Sequence, residues 1–542
     1  MWDAAYALGA LSDADRRQFE EHLAGCVSCQ EAVDKLTAVS PLLSLLDYDQ
    51  VAAADTVPPC PDLLTSLLAR ADQRAAAALE PTELNPVLTA ATTVRAQTVF
   101  PIFRTGNYAP VHDELTAFDL PVQGSIPTEL NGWYLRNGPN PRAGAGHWCI
   151  GDGMVHGMRL ENGRAAWYRN RWVRTESFER PVPLYNGDGT RNLHSSFANT
   201  HVVRHAGKTL ALMEFSLPYE ISNDLKTLGA YDFGGKLTNS MTAHPKICPA
   251  TGELHFFGSG NILEPHVVYH RADADGRLTV SRPIDVPALT LMHDFALTAD
   301  YVVFMDLPLL FNLSDALTQP SERDLPYRWD DRHRARLGVL RRDDPYGPVR
   351  WFDIDPCFVF HIANAYDMKL AGGNSIVLDV VRYPEMWRGS SDFGVDAALW
   401  RWTINLDTGL VQQSQVDDRG VEFPRIDDRL AGTAARYSVA VGSGALVRYD
   451  LQRDTATEHR FGGNGSPRES SAPSAPGEAV FAPATGESDE SAGWYLTYVY
   501  DPLTDDSDLV IIDASDFDGD AVARVRLPRR VPHGFHGNWI AD

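Results

Sequence analysis

From about Val94 to the last residue, short runs of β-branched and aromatic residues alternate with glycine turns, and this pattern limits the fold more than any other. Ser375-Ile376-Val377-Leu378-Asp379-Val380 and Leu509-Val510-Ile511-Ile512 read as strands. Glu161-Asn162-Gly163, Ala250-Thr251-Gly252, Asp275-Gly276-Arg277, Gly372-Gly373-Asn374, Asp407-Thr408-Gly409 and Asp518-Gly519-Asp520 read as the turns between such segments. Short strands joined by hairpins over some 450 residues point to a sandwich array or a propeller. No WD40 or kelch signature stands out, so the pattern by itself reaches a large all-β domain. Ser466–Gly477 is low-complexity and is expected as an exposed loop within it. Arg136-Asn137-Gly138-Pro139 and Gly151-Asp152-Gly153 are expected as tight turns.

Residues 1–90 differ: they are rich in Ala and Leu and read as a small helical module with a linker. Ser12-Asp13-Ala14-Asp15 matches a capping box that opens a helix through Phe19, His22 and Leu23, stopped by Gly25. A second helix is expected from Cys29 through Val33 and Leu36, and Pro58-Pro59-Cys60-Pro61 breaks the pattern. The expected division is therefore 1–90 and 95–542.

Charge excludes some functions. Lys and Arg number 48 against 72 Asp and Glu, a net charge of −24, which a nucleic-acid backbone or an anionic lipid surface would repel. No apolar run reaches the length of a membrane span, and no basic segment followed by an apolar one marks a secretory signal. Six scattered Cys do not form a disulfide framework, so the expected compartment is the reducing cytoplasm.

Two groups of residues carry metal chemistry. His22 and Cys26 share a helical face and Cys29 follows three residues later, a donor spacing that suits zinc, with no His or Cys among residues 1–21 for a fourth ligand. The second group is His244, His293, His361 and His536, each in a strand-like or turn-flanked context. Among 17 His their spacing does not single them out. The His-x-carboxylate pairing of a facial-triad iron site occurs only at His112-Asp113-Glu114, in a charged stretch that reads as surface.

The blocks around these histidines are more specific. They include Gly132-Trp133-Tyr134-Leu135-Arg136-Asn137-Gly138-Pro139-Asn140-Pro141, His147-Trp148-Cys149-Ile150-Gly151-Asp152-Gly153, Thr242-Ala243-His244-Pro245 and Met292-His293-Asp294-Phe295. His361-Ile362-Ala363-Asn364-Ala365-Tyr366, Glu422-Phe423-Pro424-Arg425 and Pro532-His533-Gly534-Phe535-His536-Gly537 complete the series. In this order they resemble the carotenoid cleavage oxygenase family, from about Asn107 to the end of the chain. The resemblance implies an all-β, seven-bladed β-propeller with capping loops and one Fe(II) on its axis. It implies that His244, His293, His361 and His536 are the iron ligands, oriented by Glu214, Glu422 and Glu478, with His533 structural.

It also implies a dioxygenase that uses O2 to split a conjugated C=C bond of a carotenoid or apocarotenoid into two carbonyl products. Stilbene cleavers of the same family are the alternative. They engage a phenol through a Lys upstream of the first iron ligand, and no Lys lies between Lys35 and Lys208. An isomerohydrolase of the animal kind finds no support. Asp3-Ala4-Ala5-Tyr6-Ala7-Leu8-Gly9-Ala10-Leu11 and His22-Leu23-Ala24-Gly25-Cys26-Val27-Ser28-Cys29 resemble the zinc-associated domain of anti-sigma factors. That implies zinc at His22, Cys26 and Cys29 and a sigma-factor partner, although the family's further ligand would lie upstream of this start, as in a truncated or relic module. A third reading follows from it, a sigma-factor-binding regulator with a ligand-sensing propeller. For a lipophilic polyene, Pro308-Leu309-Leu310-Phe311-Asn312-Leu313 is the expected apolar loop for peripheral membrane contact.

Overall fold

The chain divides into two units, Met1–Phe100 and Pro101–Asp542. The structure, a computed structural model, describes residues 105–542 apart from 143–146, 187–189, 313–314, 317–324, 371–372, 390, 392, 394–396 and 462–473. The helical module, its linker and the His22, Cys26 and Cys29 donors lie outside the described residues, as does most of the Ser466–Gly477 loop. The last part of that expected loop is ordered instead: Ala475–Pro476 pairs with Gly493–Asp501.

Seven antiparallel sheets follow one another along the chain and form the blades of a propeller. Blade 1 holds His201–His205, Lys208–Leu212, Tyr219–Ile221 and Thr227–Ala230. Blade 2 runs from Lys246–Ile247 to Leu278–Ile284, blade 3 from Ala296–Leu297 to Arg350–Asp353, and blade 4 from Phe358–Leu370 to Val411–Gln415. Blade 5 runs from Glu422–Arg425 to Thr455–Arg460, and blade 6 from Ala475–Pro476 to Ala523–Arg526. First strands of neighbouring blades touch, so they line the central axis.

The two ends of the domain close the ring. In blade 7 the last strand, Gly537–Ala541, pairs with Gly132–Pro139, while Leu115–Ala117 adds at the outer edge. Val122–Gly124 forms the outer edge of blade 6. Early and late residues thus share sheets, which ties the two ends of the domain into the ring. The apolar core is divided into clusters between neighbouring sheets. One packs Leu254 and Phe256 of blade 2 against Leu210 and Leu212 of blade 1, and another packs Tyr134 and Met158 of blade 7 against Leu496 and Leu509 of blade 6.

Local chemistry explains the hairpins. Asn162 and Gly163 both have positive φ, 49° and 73°, which the tight turn between Gly153–Glu161 and Arg164–Trp172 requires. Arg136-Asn137-Gly138-Pro139, expected as a turn, instead ends the strand Gly132–Pro139. Gly138 is needed there for close packing, since a Cβ on it would lie 2.4 Å from the Cα of Gly534.

The expected membrane loop is also different. Leu309–Phe311 pairs with Tyr327–Trp329 in a two-stranded ribbon, Leu309 is buried, and the Phe311 ring packs on Tyr185 and Tyr327. Leu310 and Phe311 are half-buried, and Leu313 lies outside the described residues. Among the described residues no helix is long and apolar enough to cross a membrane.

Candidate metal centre

Each candidate ligand stands at the start of an axial strand, or just inside it. His244 precedes Lys246–Ile247, His293 precedes Ala296–Leu297, His361 lies in Phe358–Leu370, and His536 precedes Gly537–Ala541. Glu422 opens blade 5 and Glu478 precedes Val480–Pro483 of blade 6. Glu214 follows Lys208–Leu212, the second strand of blade 1, which runs antiparallel to the first and so ends on the same face. Seven positions spread over more than 300 residues of sequence are therefore brought to one end of one axis.

The imidazoles converge. Ligand atoms of His244, His293 and His361 all lie within 4.8 Å of one another, and the Nε2 atoms of His244 and His293 are 3.0 Å apart. The His536 ring centroid is 4.6 Å from that of His244 and 4.7 Å from that of His361.

Carboxylates occupy the outward nitrogens. His361 Nδ1 is 2.5 Å from Glu422 Oε2, His536 Nδ1 is 2.8 Å from Glu478 Oε1, and His293 Nδ1 is 2.9 Å from Glu214 Oε1. His244 lies 3.6 Å from the same Glu214 oxygen. The carboxylates are themselves held. Glu422 accepts from the Tyr383 hydroxyl at 2.9 Å and the Phe423 amide at 2.6 Å. Glu478 accepts from the Gly537 amide at 2.8 Å and from Arg425 at 3.1 Å.

A carboxylate at Nδ1 places the ring proton there and leaves Nε2 with its lone pair. His361 Nε2 is buried without a hydrogen-bond partner, an inward-facing donor that a cation would satisfy. Burial, with the neighbouring imidazoles, holds His244 and His536 well below the usual histidine range, so both are neutral as ligands must be. Burial acts the same way on His361, but the Glu422 carboxylate outweighs it and the net shift is upward. Glu422 and Glu214 move down, because the facing imidazoles His361 and His293 outweigh the desolvation of the two carboxyls. Four imidazole donors, three of them with a carboxylate at Nδ1, form a set suited to a divalent transition metal, and the residues present fit one.

Backbone strain concentrates here. Phe423 and Phe215, which directly follow Glu422 and Glu214, have φ of 53° and 68°. Bulky residues rarely adopt such angles, and both turns aim a carboxylate at its imidazole. The Phe423 ring stacks on His361 at 5.2 Å and Phe360 meets His293 edge-on at 5.0 Å. Trp148, Phe535, Phe393 and Trp387 extend this aromatic wall. His533 stays outside the cluster, packed on Tyr108 and Trp148.

Three contributors carried no sequence expectation. Buried Asp294 accepts from the Ile362 amide at 2.9 Å and from the Phe295 amide at 2.8 Å, and lies 2.8 Å from Lys246 Nζ, so it ties the His293 and His361 segments together. Arg425 reaches Glu478, Asp428, the Gly537 carbonyl and Asn538. His201 is 2.8 Å from the Ala243 carbonyl through Nδ1, beside His244. Asp294 and Arg425 fall inside the sequence blocks quoted above, and their positions there were the only signal.

Residues 108–541 match the family model of RPE65, retinal pigment epithelial membrane protein, and residues 4–30 match that of a putative zinc-finger. The chain is 38% identical to a carotenoid cleavage oxygenase of Mycobacterium tuberculosis, over 80% of this chain and 96% of that protein. It is 34% identical to the carotenoid 9,10(9',10')-cleavage dioxygenase 1 of Arabidopsis thaliana, over 81% of this chain and 90% of that one. Among solved structures, the lignostilbene dioxygenase of Pseudomonas brassicacearum aligns with a TM-score of 0.72 at 26% identity, covering 81% of this chain and 98% of the other. A Synechocystis apocarotenoid oxygenase aligns at 0.71 and 24% identity, covering 82% and 99%, and shares the fold.

Proposed function

This chain belongs to the RPE65 family of carotenoid oxygenases, is a dioxygenase, and from that premise we propose that it cleaves a conjugated C=C bond of a carotenoid or apocarotenoid with Fe(II) and O2. One alkene carbon pair and one O2 give two carbonyl groups, so the reaction balances without a further reductant.

His244, His293, His361 and His536 are the proposed ligands, and Glu214, Glu422 and Glu478 the residues that orient them. Iron(II), when bound, supplies the activation of O2. The chain does the rest. The carboxylates fix the tautomers of His293, His361 and His536 and leave each Nε2 for the metal, and burial keeps His244 and His536 unprotonated. Phe360, Phe423, Trp148 and Phe535 give the site an apolar wall that keeps water from the reacting alkene and suits a polyene. The observation that carries this reading is the convergence of four imidazoles, three of which, His293, His361 and His536, turn Nδ1 to a carboxylate.

A stilbene is the second reading, favoured by the similarity to the lignostilbene dioxygenase. Against it stands the lysine-free stretch from Lys35 to Lys208. The test is to incubate the Fe(II)-loaded protein with apocarotenals and stilbenes and identify the carbonyl products by mass. Paired products from an apocarotenal are expected, and products from stilbenes alone would reverse the order of the two readings. Iron bound without turnover of any polyene would favour the ligand-sensing regulator.

For the N-terminal residues we propose a separate module over 1–90 joined to a catalytic domain over 95–542. His22, Cys26 and Cys29 are its zinc donors, supported by the zinc-finger match, while a sigma-factor partner rests on the sequence resemblance alone.

A further inference from the structure

Among the described residues Arg191 is a buried cation without an anionic partner. It is only 6% exposed and forms an isolated bridge with Tyr185 in the segment that leads into blade 1. Its Nε donates to the Phe215 carbonyl at 2.9 Å, and its guanidinium lies 5.4 Å from the Tyr185 ring centroid and 5.9 Å from that of Phe215. The titrating groups acting on it are the Tyr185 and Tyr327 phenols, and no carboxylate of the described residues is among them. Arg425 reaches Glu478, Arg342 reaches Glu253 and Arg401 reaches Asp379, whereas Arg136, 5% exposed, shares with Arg191 the lack of a carboxylate partner among the described residues and donates to the Gly534 carbonyl. Burying a guanidinium without an anion is costly, and an incoming anion would relieve that cost.

Arg191 also lines a cavity of about 400 Å³ with Asn186, Asn192, Asn261 and Asp232. The one carboxylate in this lining, Asp232, accepts from the Gly235 amide at 2.9 Å. The segments that form the cavity precede the first strand of blade 1, follow its last strand, or follow the second strand of blade 2. Propeller topology puts all three on the face that carries the four histidines. The connection to the centre is short in sequence and in space. Arg191 holds Phe215, Phe215 follows Glu214, and Glu214 lies 2.9 Å from His293. The Phe215 ring is stacked on Tyr327, and Tyr327 packs on Phe311, so an aromatic surface continues from Arg191.

We propose that Arg191 and this cavity form a subsite for the oxygenated end of a polyene, and that this end is a carboxylate. A guanidinium fork matches a carboxylate in charge and in two-point geometry, whereas a terminal hydroxyl or aldehyde would leave the cation uncompensated. The inference rests on the polyene reading of the metal centre and adds to it the chemical class of the substrate terminus.

The test is binding, not turnover. Iron-loaded, full-length protein is titrated with all-trans retinoic acid and with retinol, which share a skeleton, and tryptophan fluorescence is followed. The wild type is expected to bind the acid about tenfold or more tightly than the alcohol, in line with a charge-assisted hydrogen bond. Arg191→Gln should bring the ratio near unity through weaker binding of the acid, and Arg191→Lys should restore part of the preference. Equal affinities in the wild type, or a preference that survives in Arg191→Gln, overturn the subsite. If Arg191→Gln does not fold, the wild-type ratio and the lysine variant decide. Failure of both retinoids to bind would overturn the polyene reading together with the subsite. Binding of both with a ratio near one would overturn the subsite alone. Displacement of the acid by inorganic phosphate, with the alcohol unaffected, would make the cavity a plain anion site and equally overturn it.

Discussion

Histidines on the axis and histidines inside the blades are both buried, yet their partners differ in kind. On the axis, His293, His361 and His536 each face a carboxylate through Nδ1. In the blades the partner is neutral: His156 meets the Tyr168 hydroxyl at 2.8 Å, His270 meets Ser281 at 2.9 Å, and His459 meets the Phe517 carbonyl at 2.8 Å. A neutral partner satisfies one nitrogen and leaves an uncharged ring that packs like an aromatic. Burial accordingly depresses His156 and His270 to about 3. An anionic partner stabilises charge on the other side of the ring, which is what a ligand to a cation needs. His255 marks the boundary between the two classes. It meets the Tyr269 hydroxyl at 2.7 Å and lies 3.6 Å from Glu253, but no other imidazole converges on it among the described residues. A carboxylate alone does not make a metal centre; convergence does.

The largest expected effect comes from uncovering one of the axial carboxylates. Arg425→Met leaves Glu478 buried without its cation and should cost about 3–5 kcal/mol of stability, read as a lower denaturant midpoint. A midpoint equal to the wild type would mean that the Gly537 amide suffices to hold Glu478. Next in size is Glu422→Gln, which keeps the shape of the side chain and removes the anion facing His361. It should lose about 10–100-fold in iron affinity or rate while the fold is kept. Glu214→Gln should cost less than Glu422→Gln in the same assay, because the Tyr383 hydroxyl that fixes Glu422 has no counterpart on Glu214 among the described residues. A larger loss in Glu214→Gln would invert the ranking of the two sides of the centre.

The smallest effect, taken for one residue over the first pH unit below 6.5, belongs to the blades and is a pH dependence. His156, His255 and His270 have folded values depressed to about 3, 4 and 3, below the usual histidine value near 6.5. A group depressed on folding favours the folded state above its unfolded value. Stability is therefore full above about pH 6.5 and falls as the pH drops towards 4, by about 1.4 kcal/mol per unit per group. Urea midpoints measured between neutral and mildly acidic pH should fall, and His270→Gln should flatten the slope. An unchanged slope in that variant would remove His270 from the account.

The two classes of histidine cannot be told apart from their immediate sequence neighbours. His361 in Phe358-Val359-Phe360-His361 and His255 in Leu254-His255-Phe256 are both imidazoles in strand-like runs. The axial set was legible because it sits in longer blocks with a family pattern, and the structure brings those four together with Glu214, Glu422 and Glu478. Asp294, Arg425 and Arg191 were not legible, because their roles depend on distances between blades that no local pattern encodes. The pairing of Leu309–Phe311 with Tyr327–Trp329 was not legible for a related reason: an apolar run looks the same whether it faces lipid or a partner strand. Arg136–Pro139 carries turn residues, yet the close approach to Gly534 makes glycine a packing requirement inside a strand.

Iron content tests the distinction between axis and blade most directly. Wild-type protein, His361→Ala and His156→Gln would be reconstituted with Fe(II), passed through gel filtration and analysed for metal per chain. The expected result is iron in the wild type and in His156→Gln, and its loss in His361→Ala, since only the axial imidazole offers an inward lone pair backed by a carboxylate. Full iron in His361→Ala, or iron lost from a folded His156→Gln, would contradict the assignment of the metal to the propeller axis.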